Sequence, residues 1–218
     1  MSYIAKTYTP LEERINIASH ALGLGLSIVA FLLLLKRAMH YEGLWPLFSV
    51  GLFGASLIAL YAASTAYHST TQPDLRRRMR IVDHAAIYLL IAGTYAPFAL
   101  LVLKGTTGWV IFAAAWLMAV LGIILKLFFT GRYTLVSTLL YVFMGWIIIF
   151  AIKPLVEYLS PEGLRWLIAG GVSYTVGALV YLLKNLNYTH AIFHVFILIG
   201  SVCHFIAVYF YVLPSLSG

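Results

Sequence analysis

Charge is what this chain has least of. Asp and Glu together number 7 in 218 residues, and charged side chains of both signs make up only 10% of the composition, where an ordinary soluble domain carries roughly 25%. A surface so poor in charge excludes a water-soluble fold. Cysteine is nearly absent: Cys203 stands alone in an apolar run, so no intrachain disulfide can form, the redox compartment is unmarked, and the thiol reads as a small packing residue. No internal repeat or low-complexity linker is evident. The first 16 residues, with Tyr8-Thr9-Pro10-Leu11-Glu12-Glu13-Arg14, are polar. The apolar run after them is too long for a signal-peptide core and shows no clear cleavage site, so it reads as a retained first span.

Apolar residues fill 62% of the chain, in runs of about 20, the length needed to cross a hydrocarbon core of about 30 Å. Reading them between polar breaks predicts an all-α membrane protein, a single seven-helix transmembrane domain over residues 1–218, with spans near 17–38, 44–69, 81–103, 107–128, 134–152, 163–183 and 190–213. The breaks include Met39-His40-Tyr41-Glu42-Gly43, residues 72–80, Thr130-Gly131-Arg132-Tyr133 and Lys184-Asn185-Leu186-Asn187-Tyr188.

The net charge of +7 does not point to nucleic acid, because the basic residues fall in short segments between spans, as in Arg76-Arg77-Arg78-Met79-Arg80. The positive-inside rule accounts for them. With the N-terminus inside, Lys6, Arg14, Arg76, Arg77, Arg78, Arg80, Lys126, Arg132 and Lys184 are cytoplasmic, while Lys36, Arg37, Lys104, Lys153 and Arg165 lie opposite. Seven spans then put the C-terminus outside. Within the spans, Pro97 removes a backbone donor and is expected to kink the third helix near Gly93-Thr94-Tyr95-Ala96-Pro97. Small residues at Gly23, Ser27, Gly170, Gly171, Ser173 and Gly177 should let helices approach closely.

Ionisable groups in hydrocarbon are costly, and those present are functional candidates. Ser64 and His68 share a helical face near the end of span two, about 6 Å apart along the axis. Asp83 is expected in the first turns of span three. His190 and His194 stand at i, i+4 in the first turns of span seven, the spacing at which two imidazoles on one helix reach the same metal ion. Parity puts all five at one membrane face. Three neutral imidazoles with an open position are the ligand set of a catalytic zinc site. On that reading Asp83 is a general base or orients the zinc-bound water, and Ser64 steadies the water or an oxyanion. The plainer alternative is that these groups cap helix ends, meet headgroups or form a metal-free Asp–His couple. His204, about 15 Å beyond His194 along the helix, is too far to join the site and should be a core histidine or line a cavity. His20 and His84 read as structural or interfacial, and His40 as solvated.

The stretches Ser64-Thr65-Ala66-Tyr67-His68, Asp83 through Pro97, His190-Ala191-Ile192-Phe193-His194 and Gly200-Ser201-Val202-Cys203-His204-Phe205 resemble the hemolysin III family, the bacterial branch of the progestin and adipoQ receptor proteins. The segment Glu12-Glu13-Arg14-Ile15-Asn16-Ile17-Ala18-Ser19-His20 looks like that family's amino-terminal signature. The resemblance spans essentially the whole chain. It implies seven helices, a cytoplasmic N-terminus in a bacterial cytoplasmic membrane, and a zinc ion held by His68, His190 and His194 with Asp83 and Ser64 beside it. Alkaline ceramidases, zinc amidases of lipids, share the same pattern of residues. Three functions follow as expectations: a zinc hydrolase of lipid amides or esters, a non-enzymatic sensor with structural zinc, or a hemolysin-like pore. A role in membrane lipid homeostasis fits the first two. The expected partners are membrane lipids; no polar stripe runs the length of a span as a pore would need.

Overall fold

A computed structural model describes residues 8–103, 105–183 and 187–217; Lys6, Lys104 and Lys184 of the charge count, with Asn185 and Leu186, lie outside them. Seven helices are long and apolar enough to cross a membrane: α1 Pro10–Ala38, α2 Trp45–Ser69, α3 Pro73–Val102, α4 Gly105–Phe129, α5 Thr134–Tyr158, α6 Pro161–Leu182 and α7 Thr189–Leu216. No strand occurs among the described residues. Every expected span is present.

Two helices begin earlier than expected. α1 starts at Pro10, not near 17, because Thr9 caps it by accepting from the Glu12 amide at 3.2 Å and proline takes the first helical position, where its missing N–H costs nothing. α3 starts at Pro73, not 81, for the same proline reason. The arginine run is therefore helix rather than loop, and Asp83, expected in the first turns of a span starting near 81, lies ten residues after the start of α3 at Pro73. Beyond Pro97 the chain turns through a π-helical stretch, Phe98–Val102, which absorbs the lost backbone bond. α5 is also broken, by a 3-10 turn at Ile147–Ala151.

α3 is the most enclosed helix, followed by α2 and α7, while α1, α4, α5 and α6 form a rim. Rim residues such as Leu32, Leu117, Phe128, Phe143 and Phe150 turn outward, as the surface of a protein solvated by lipid must. The inner helices meet backbone to backbone. A Cβ on Gly93 of α3 would run into Ser56 and the Leu52 carbonyl of α2, and one on Gly170 of α6 would strike His204 of α7. All five polar candidates sit on α2, α3 and α7, the three inner helices.

Candidate metal centre

The end of α2 and the start of α7 lie at the same end of the bundle, and one ring nitrogen from each of His68, His190 and His194 falls within 4.8 Å of the other two. All three side chains are buried. His68 Nε2 stands 3.0 Å from His190 Nε2, and the His190 and His194 rings, one helical turn apart, have centroids 4.5 Å apart.

The surroundings fix which nitrogens carry protons. His68 Nδ1 donates to the Glu13 carboxylate at 2.8 Å, leaving a lone pair on Nε2. The Ser19 hydroxyl donates to the Asn16 carbonyl at 3.1 Å and stands 3.3 Å from His194 Nδ1, so the serine oxygen accepts that N–H and leaves the His194 Nε2 bare. A buried nitrogen lone pair is satisfied by an N–H donor or by a cation, and three imidazole nitrogens this close together can share one ion. The cluster therefore fits a metal ion held by imidazole nitrogen, with His68 and His194 each oriented through the opposite nitrogen, while His190 Nδ1 has no hydrogen-bond partner among the described residues. Glu13 is held in turn by Arg76, which donates to its other oxygen, and by Asn16 at 3.3 Å. Arg76 also donates to the Thr70 carbonyl at 2.9 Å, closing the end of α2.

Three aromatic groups enclose the cluster. The His20 ring stacks on His194 at 3.5 Å, and neither of its nitrogens has a hydrogen-bond partner among the described residues. Tyr8 lies over the end, 5.0 Å from the His190 ring and 5.7 Å from His68. Burial pushes its phenol well above the ordinary value, so it is a neutral hydroxyl. Tyr181 approaches His190 from α6 at 5.7 Å.

Ser64 is fully buried one turn from His68, its hydroxyl without a partner among the described residues. Asp83 is buried beside His84, whose Nδ1 lies 3.4 Å from its carboxylate. Asp83, His84, His190 and His194 line one end of a cavity of about 130 Å³. Its walls, from α3, α5, α6 and α7, are Leu90, Ile91, Val142, Leu167 and Ile197 among others, and it reaches Phe98 and His204 far inside the bundle. His204 is thus both a lining group and a bonded core residue: Nδ1 donates to the Gly200 carbonyl at 2.7 Å and the ring stacks on Tyr174 at 5.1 Å.

The structure thus gathers His68, His190 and His194 and places Asp83 on the adjoining cavity, with Ser64 a turn from His68 on α2. His20 is buried against His194 instead of interfacial, and His40 is exposed as expected. Glu13, Ser19, Arg76 and Tyr8 were not assigned roles from the sequence. Thr9-x-x-Glu12 with Pro10 is a capping pattern that starts α1 early and so puts Glu13 and Ser19 on that helix, but it carries no sign of their contacts with His68 and His194.

Seven spanning helices around a buried histidine triad define a multi-pass membrane protein with three imidazoles at one end that could hold a metal ion. The chain belongs to the Haemolysin-III related family, whose profile matches residues 8–205. It is 45% identical over 206 residues to Hemolysin-3 of Bacillus cereus, covering 94% of each chain. It is 43% identical to the Hemolysin-3 homolog of Bacillus subtilis (strain 168), covering 94% of this chain and 96% of that one. The human Monocyte to macrophage differentiation factor is similar at 27% identity, over 95% of this chain and 87% of its own. No solved structure matches.

Proposed function

We propose that the chain is a zinc-dependent hydrolase of membrane-lipid amides or esters, acting in membrane lipid homeostasis. The observation that carries this reading is the cavity: it joins Asp83, His190 and His194 to an apolar passage ending at His204, the shape an acyl chain needs to present its carbonyl beside the triad. Zinc, when bound by the three histidines, polarises a carbonyl and brings the pKa of water to about 7. Asp83 takes the proton from the attacking water and returns it to the departing amine or alcohol. Ser64, buried a turn from His68 with its hydroxyl unpartnered among the described residues, would steady the site from the α2 side, outside the cavity lining. The apolar walls hold the chain and keep other water out. Asp83→Asn should retain about one zinc per chain yet release no fatty acid from a lipid amide or ester panel. A zinc-loaded wild type inert across that panel sinks the proposal.

A second reading, a non-enzymatic sensor with structural zinc, is favoured by the way the cluster ties α2 to α7 and, through Glu13, to α1. It expects Asp83→Asn to keep its biological effect while His68→Ala lowers thermal stability.

A further inference from the structure

Lys126 is the only lysine or arginine classed as buried among the described residues, at 4% exposure. It occupies the last turn of α4, where a lysine ordinarily extends its stem and places the ammonium in the headgroup layer. Here the side chain turns inward. It lines the histidine cavity alongside Asp83, His84, Thr134 and Thr138, with Nζ 5.4 Å from the centroid of the Tyr141 ring. The Tyr141 hydroxyl is committed to the His84 carbonyl at 2.9 Å, and the Thr138 hydroxyl to the Thr134 carbonyl at 2.9 Å. Among the described residues no carboxylate forms an ion pair with Lys126 and no hydrogen bond takes its ammonium. α5 meets α4 chiefly through the 3-10 turn at Ile147–Ala151, so the Lys126 end of this seam is left to the cavity.

An ammonium removed from water without a counter-charge is costly. One that faces a cavity can recover that cost from an arriving anion, and an aromatic face beside it helps hold the charge until then. We propose that Lys126 recognises the anionic head, a carboxylate or a phosphate, of a single-chain amphiphile whose tail runs along the cavity toward His204. The proposal rests on reading the cavity as an acyl-chain site and not on hydrolysis. It adds a second polar anchor, on α4, to the one formed by the triad.

The test uses the full-length chain in nonionic detergent, with binding of oleate, oleoyl lysophosphatidate and oleyl alcohol read by native mass spectrometry. At least one anion should bind tenfold or more tighter than the alcohol, and the anion preferred names the head. Lys126→Gln should bring that preference within twofold while alcohol binding persists, and Lys126→Arg should restore it. Equal binding of all three by the wild type overturns the proposal. So does an anion preference that survives Lys126→Gln, since the anion would then sit on the triad. A second measurement needs no variant. Sulfosuccinimidyl oleate should acylate Lys126, its amine attacking the acyl carbonyl to form an amide and expel N-hydroxysulfosuccinimide and a proton, and excess oleate should protect it. Labelling confined to exposed Lys36 and Lys153 counts against the site. Lipid turnover without anion preference removes this proposal alone; anion preference without turnover removes the hydrolase alone.

Discussion

Glu13 is the residue on which the histidine cluster leans without being one of its three candidate ligands. Its carboxylate accepts from His68 Nδ1 and from Arg76, and so selects the imidazole tautomer that turns a lone pair inward. Removing such a partner generally weakens metal binding about 10- to 100-fold. Glu13→Gln is expected to lower zinc affinity by that factor in chelator competition while the purified chain stays folded, with Glu13→Asp intermediate. An unchanged affinity would mean that His68 is oriented by its helix alone. Ser19→Ala should produce a smaller loss, because its contact with His194 is longer, at 3.3 Å, and uncharged.

At the scale of elements, α2 and α3 are held together by absence of bulk. The Cβ that Gly93→Ala would add meets the Leu52 carbonyl at 3.0 Å and presses on Ser56, and backbone cannot step aside as a flexible side chain does. Overpacking of this kind costs about 1–3 kcal/mol, so the variant should show a clearly lower melting temperature in detergent than Gly25→Ala, whose new methyl meets nothing within 4 Å. The spans themselves were legible in the sequence, because seven apolar runs of membrane length leave little choice. Their starts were less so: a hydrophobicity reading stops where charge begins, yet Thr9-Pro10 and Gln72-Pro73 launch helices through Glu12, Glu13 and the arginine run. His68, Asp83, His190 and His194 were legible from spacing and parity. Glu13 and Ser19 were not, since ordinary polar residues near a terminus gain meaning only when α1 is packed against α2 and α7. Lys126 was read as a cytoplasmic surface charge for a related reason: sequence places it at a membrane face but cannot say whether it turns out or in.

Across the whole molecule the cluster gathers His68, His190 and His194 with support from residues 13 and 19, so an ion held there would link metal binding to helix assembly. A ligand bound only by the folded state stabilises it by about 4 kcal/mol at a thousandfold excess over its dissociation constant. Chelation should therefore lower the melting temperature of the wild type, and zinc should restore it. His194→Ala, lacking a ligand, should melt at a temperature indifferent to either treatment. A wild type equally indifferent would dissociate the triad from any role in holding the bundle.

The same arrangement bears on how the chain is made. α1 and α2 leave the ribosome well before α7, so Glu13 and His68 wait in the bilayer through four further insertions, α3 to α6, before His190 and His194 arrive. Chains that stop short of residue 190 carry one imidazole of the three. On the proposed reading, metal capture comes at the close of biosynthesis, and a bound ion would certify that the final helix has been threaded into place.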